Sequence, residues 1–156
     1  VMSSRLGPIH SNTPLREGWD VPAPERAHVC LDLGEEEYTQ GRPHPMMDPL
    51  AREEEIRRAG DDPSTAVILV DVVLGHGSHD DPAGELAPVL SEVTSDPDGP
   101  VVVTYVLGTD EDPQDISRQT ERLRDAGCLI APTAARAALL AAAIASRRTE
   151  LLEETP

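Results

Sequence analysis

This sequence predicts a doubly wound α/β domain: a mostly parallel sheet with helices on both faces. Three observations lead there. The apolar runs Ala66–Leu74 and Val101–Leu107 are near-continuous and β-branched rather than alternating, as in strands covered on both sides. Stretches of helical length separate the runs. Aspartate–proline pairs and glycines fall at the joins between the two.

The elements follow in order. His28–Leu33 is the first short apolar run, Ala66–Leu74 the second, Val101–Leu107 the third and Cys128–Ala131 the fourth. Leu50–Ala59 reads as a helix with a charge-dense, solvated face, Arg52–Arg58. Ala83–Val93 places Leu86, Leu90 and Val93 at helical spacing, and Ile116–Ala126 does so with Ile116, Leu123 and Ala126. Ala134–Arg148 is mostly alanine, with Leu139, Leu140 and Ile144. Asp48-Pro49, Asp81-Pro82 and Asp112-Pro113 are each expected to open a helix, aspartate capping free amides and proline fitting the first turn. Asp62-Pro63 and Asp96-Pro97 fit turns. Gly127 suits a left-handed helix end. Residues 1–27, rich in proline and without periodicity, read as an extended arm or linker. Residues 28–148 form the domain, and 149–156 a fraying tail.

Composition excludes several functions. The formal charge is −16, and all 13 basic residues are arginine. A nucleic-acid binder needs a basic face, because phosphate contacts dominate that affinity. An anionic membrane surface is disfavoured on the same ground, and no run reaches the roughly 18 apolar residues of a membrane span. Without lysine there is no Schiff base, Walker A lysine or receiver-domain switch. Cys30 and Cys128 lie in apolar runs and read as buried free thiols of a reducing cytoplasm.

The chemistry is expected where strands end and helices begin, since ligands of open parallel sheets bind outside the carboxyl ends of the strands. Each of the first three runs is followed by glycine: Gly34, Gly75 and Gly108. The richest loop is Gly75-His-Gly-Ser-His-Asp-Asp-Pro82. Gly75 and Gly77 permit close backbone approach, His76 and His79 lie three apart, and the following helix offers free amides and a positive dipole end. That combination suits a phosphoryl group or a carboxylate. Arg42 would pair with an anion bidentately, and His44 is a third imidazole. The neighbouring aspartates oppose phosphate unless Mg²⁺ or a partner's arginine compensates. A His-x-x-His loop lacks a scaffold of known metal-ligand spacing, so no metal site is assigned.

These motifs resemble a known family. Leu31-Asp-Leu-Gly34, Gly41-Arg-Pro-His-Pro-Met46, Val70-Asp-Val-Val-Leu-Gly75 with His79-Asp-Asp-Pro-Ala83, Gly108-Thr109 with Asp112-Pro-Gln114, and Ala131-Pro132 resemble the C-terminal flavodoxin-like domain of FdrA-type acyl-CoA synthetases, relatives of succinyl-CoA synthetase. Ser11–Leu15 fits the segment just upstream. The resemblance implies a flavodoxin-like ligase domain that helps cradle a phosphohistidine loop, in enzymes that join a carboxylic acid to coenzyme A through an acyl phosphate. It implies catalytic roles for His79 and His76. Gly75, Gly77, Ser78, Gly108, Thr109, Arg42 and His44 would bind the phosphate or anion. Mg²⁺, ATP and coenzyme A are implied for the full assembly, with none bound tightly by this chain. The implied partners are CoA-binding and ATP-grasp domains or subunits, and a homodimer is a further candidate. Two departures stand out: His76 occupies a position where tyrosine is usual, and the glycine-rich strand–helix unit that opens the family's domain is not found. The chain is therefore expected to be an excised domain, a truncated relative or a small subunit, inactive alone. The alternative is a non-catalytic assembly or regulatory module of an acyl- or carbamoyl-transfer complex.

Overall fold

The computed structural model describes residues 1–153. Its main sheet is parallel, in the order β3-β4-β5, with β3 at Val67–Val73, β4 at Val101–Leu107 and β5 at Leu129–Ile130. Val67 pairs with Val101 and the register runs unbroken to Val73 opposite Leu107. The helices that connect these strands fall close to the expected bounds: α3 Leu50–Gly60, α4 Pro82–Thr94, α5 Ile116–Asp125 and α6 Ala134–Ser146. Two shorter helices, α1 (Ser3–Leu6) and α2 (Glu36–Thr39), lie in the N-terminal part.

The two faces of the sheet differ in how they are filled. On one, Ile68, Val70, Val72 and Leu74 of the second apolar run pack with Val102 against Ile56, Leu86, Leu90 and Leu123 from α3, α4 and α5. Val72, Leu86, Leu90 and Leu123 are at most 1% exposed, and burying each such side chain contributes about 1.5–3 kcal/mol. On the other, the alanine-rich α6 lies against Val67, Leu69, Val103 and Tyr105, its Ala137 fully buried. Small side chains there let the helix approach the strands closely.

Helix ends show what the aspartates do. Asp48 accepts from the Leu50 amide at 3.0 Å, as a cap should. Asp81 stands at the start of α4 but turns its carboxylate elsewhere, onto Arg122 and Gln119. Asp112 does not open α5. Asp115 does, at φ +61, accepting from the Arg118 amide at 3.1 Å. Asp112 instead accepts from the Thr109 amide, which ties up its carboxylate three residues too early. Asp62 and Asp96 form the expected local turns. Gly127, at φ +82, closes α5 in a Schellman arrangement: its own amide reaches the Arg124 carbonyl and the Cys128 amide reaches Leu123.

Three expectations are corrected at the chain's ends and at the first strand. The segment 1–27 is not a bare arm. Ile9–Ser11 forms β1, with Ile9 and Ser11 buried, and pairs in parallel with β2, His28–Cys30. The first apolar run therefore joins a separate two-stranded sheet rather than the main one. On β3, the Arg52 guanidinium of α3 bonds the Asp71 carbonyl and carboxylate at the outer margin of the main sheet. Thr149–Glu153 forms a 3₁₀ turn whose Leu151 is fully buried against Ala142, Ala143 and Leu6. The rest of the tail, 154–156, lies outside the described residues.

The two cysteines also separate. Cys30 is exposed, whereas Cys128 is buried, and burial pushes the Cys128 thiol up from 9.0 to about 11. The folded chain thus holds this proton longer than the unfolded chain does. Its contribution is intact below about pH 9 and is lost as pH rises from about 9 to 11, where the unfolded thiol ionises first. Denaturant unfolding across that window is expected to show a loss of stability that is smaller in Cys128→Ala. An identical pH slope in both proteins would exclude this origin.

Candidate functional site

The loop from Gly75 to Asp81 leaves the carboxyl end of β3 and enters α4. The last rung of the β3–β4 ladder is the Leu74 amide on the Leu107 carbonyl, 2.8 Å. Gly75 then adopts φ +122, which only glycine takes without strain. Opposite it, Gly108 begins the loop that follows β4. A Cβ at Gly108 would lie 2.9 Å from Leu74, so this glycine is there for close approach.

Two buried glutamines of the following segment organise the loop. Gln114 is 2% exposed and Gln119 fully buried. The Gln114 carboxamide accepts from the Gly75 amide at 3.1 Å and donates to the Gly75 carbonyl at 2.9 Å and the His79 carbonyl at 3.2 Å. Gln119 accepts from the Ala83 amide at 2.8 Å and donates to Asp81 at 2.9 Å and to the Gln114 carbonyl at 3.1 Å. Periodicity cannot find such residues, because a satisfied buried amide looks polar in sequence. The only available pointer was the Asp112-Pro-Gln114 motif.

This wiring changes which groups are open to an anion. The amides of Gly75, Ser78, His79, Asp81 and Ala83 already have protein acceptors. Gly75 and the first turn of α4 are thus less available than expected. Among the described residues, the His76, Gly77 and Asp80 amides have none. The Ser78 hydroxyl is buried in the loop and also lacks a protein partner.

His79 is held at three points. Its amide donates to the Met46 carbonyl at 2.7 Å, its carbonyl meets Gln114, and its Nδ1 accepts from the Asp81 amide at 3.1 Å. A ring nitrogen that accepts a backbone N–H carries no proton, so in the neutral ring the proton sits on Nε2. His79 therefore presents an Nε2–H donor. His76 is exposed.

The other expected residues divide. Through Met46, the Gly41–Met46 segment is joined to the loop. His44 in that segment accepts from the Met46 amide at 3.2 Å, and its Nε2 lies 2.8 Å from where a Gly34 Cβ would stand. The Gly34 turn and the Gly41–Met46 segment thus meet. Thr109 is engaged with Asp112, whose carboxylate lies 3.8 Å from the Cβ position of Gly75. Arg42 is exposed and pairs with Glu54 of α3 at 3.6 Å. Asp81 is neutralised by Arg122 at 2.8 Å, which removes one carboxylate from the charge opposing an anion. No group of three or more metal-ligating side chains occurs among the described residues. No helix among them is long and apolar enough to cross a membrane.

The chain is similar in sequence to known proteins. The chain is 38% identical over 118 residues to the uncharacterized protein YahF of Escherichia coli strain K12, a match that takes in 73% of this chain and 23% of YahF. The chain thus spans less than a quarter of that relative's length. Residues 22–144 match the CoA-ligase family, from the end of the N-terminal segment through most of α6 and across every loop described above. The parallel sheet, the glycine turns at its carboxyl edge and this match together make the chain a member of the CoA-ligase family, a flavodoxin-like domain of the succinyl-CoA synthetase type.

Proposed function

We propose that this domain works in an FdrA-type acyl-CoA synthetase, where the Gly75–Asp81 loop holds a phosphoryl or acyl-phosphate group while other domains supply the nucleotide and thiol sites. One observation carries this reading: the open donors of the region, the His76, Gly77 and Asp80 amides and His79 Nε2–H, share a single glycine loop at the carboxyl edge of the sheet, ahead of the α4 dipole. Such donors stabilise negative charge on transferring oxygens. His79, protonated at Nε2, hydrogen-bonds the group rather than attacking it. Ser78 lies within reach of the same backbone. His76 lines the open side.

A depression lined by Asn12, Glu35, Glu36, Glu37 and Gln40 offers three carboxylates, a poor cradle for nucleotide phosphates. ATP, Mg²⁺ and coenzyme A would accordingly be handled by CoA-binding and ATP-grasp partners, and the isolated chain is expected to form no acyl-CoA.

A ¹H–¹⁵N NMR titration with inorganic phosphate, with and without Mg²⁺, tests the reading. Shifts are expected at Gly75–Ala83 and Gly108, with millimolar affinity, about 4 kcal/mol. They should weaken in His79→Ala. Perturbations at the amino ends of the strands, or none with partner domains present, would favour a docking module without chemistry.

A further inference from the structure

We infer that Gln114 is the positioning residue of this loop, acting through its carboxamide to fix the backbone that faces the anion. The inference rests on the anion-site reading above and extends it to a residue that does not itself touch the ligand. Beyond the Leu74–Leu107 rung no further backbone bond joins the two strands. The Gln114 side chain takes over there, accepting the Gly75 N–H and donating to the Gly75 C=O, the exchange that an antiparallel partner residue would make. Its Nε2 also donates to the His79 carbonyl, four residues on. One planar group thereby closes the loop from its first residue to His79. Two of the amides without protein acceptors, His76 and Gly77, lie inside that closure, and Asp80 lies directly after it.

The same device occurs once more. At the end of β2, the Asn12 carboxamide accepts from the Asp32 amide at 2.9 Å and donates to the Asp32 carbonyl at 2.8 Å, just before the Gly34 turn. Two of the three strand ends that lead into glycine loops, those before Gly34 and at Gly75, are thus held by a side-chain amide from elsewhere in the chain. Only a group that donates and accepts at once can do this. An ionised carboxylate of the same shape accepts only, and at Gln114 it would face the carbonyls of Gly75 and His79 without a proton to offer.

The test uses the whole chain, with inorganic sulfate as the probe because its charge is constant near neutrality, and compares wild type, Gln114→Ala and Gln114→Glu. Sulfate should shift the His76, Gly77 and Asp80 amides of the wild type. Gln114→Ala should melt cooperatively, lose hydrogen-exchange protection at the Gly75 amide and bind sulfate about tenfold or more weakly. Gln114→Glu should bind weakly at about pH 7. Its deficit relative to wild type at the same pH should narrow near pH 5, as protonation returns an O–H donor. A role confined to packing would leave that deficit independent of pH. Unchanged sulfate affinity in Gln114→Ala, or a pH-independent deficit in Gln114→Glu, overturns the assignment while leaving the site standing. If the alanine variant does not fold, the glutamate variant decides. Absence of any loop shift in the wild type removes the anion site and the positioning role with it.

Discussion

Gln119→Leu is expected to lower the stability of the domain by about 3 kcal/mol, because leucine fills the volume but answers none of the three bonds. Gln119 is fully buried in α5, and so is Ala83 at the start of α4, whose amide it accepts. Leucine leaves that N–H buried without a partner. The Gln114 carbonyl loses a donor as well. Asp81 keeps Arg122 and is spared the full loss. For a domain of this size the midpoint of thermal unfolding should fall by about 6–12 °C. Denaturant unfolding gives the free energy directly, and a change below about 0.5 kcal/mol would mean that the glutamine network does not hold the α4–α5 corner together.

Gly127→Ala should cost a similar amount, about 2–4 kcal/mol, from two separable sources. The residue sits at φ +82, where a side chain adds about 1–2 kcal/mol of strain. The new Cβ would also lie 2.7 Å from the Thr94 hydroxyl and 2.9 Å from its Cβ. Thr94 cannot simply rotate away, since its hydroxyl bonds the Ala126 carbonyl at 2.6 Å. Combining Gly127→Ala with Thr94→Ala should recover the steric part and leave the backbone part. The two substitutions are therefore expected to be non-additive in a double-mutant cycle. Strict additivity would show that the strand-ward end of α5 moves to make room.

Much of this fold was legible because its signals are local. The helices α3, α4, α5 and α6 begin and end near the bounds set by Leu86, Leu90, Leu123 and the glycine and aspartate punctuation. The two long strands announced themselves as unbroken β-branched runs. What escaped is mostly non-local. β1 has three residues, too few to show a period, and it exists because Ile9 and Ser11 find cover and a partner in β2. Asp112 and Asp115 both satisfy the rule for a helix cap, and only the turn closed on Thr109 decides between them. In the site, Gly75, Gly77, Ser78 and His79 were visible as a glycine–histidine loop, whereas the state of each donor was not. Whether a given amide is open depends on Gln114 and Gln119, which lie 36 to 39 residues away along the chain. That Arg42 has Glu54 beside it at 3.6 Å is likewise a contact that spacing along the chain does not show.

The guanidinium of Arg52 on the outer side of β3 has a consequence for solubility. A strand at the margin of a sheet offers unpaired carbonyls to any passing strand, and that is how intact domains start to stack into aggregates. Here Asp71 O on that margin is already taken by Arg52, whose side chain is only 15% exposed, and the Asp71 carboxylate beside it places a charge where an incoming chain would dock. Arginine suits this plug better than lysine would, because its planar fork reaches a carbonyl and a carboxylate together. With a net charge of −16 repelling a second copy, this one plugged carbonyl makes edge-to-edge pairing at β3 less favourable than at a bare strand margin.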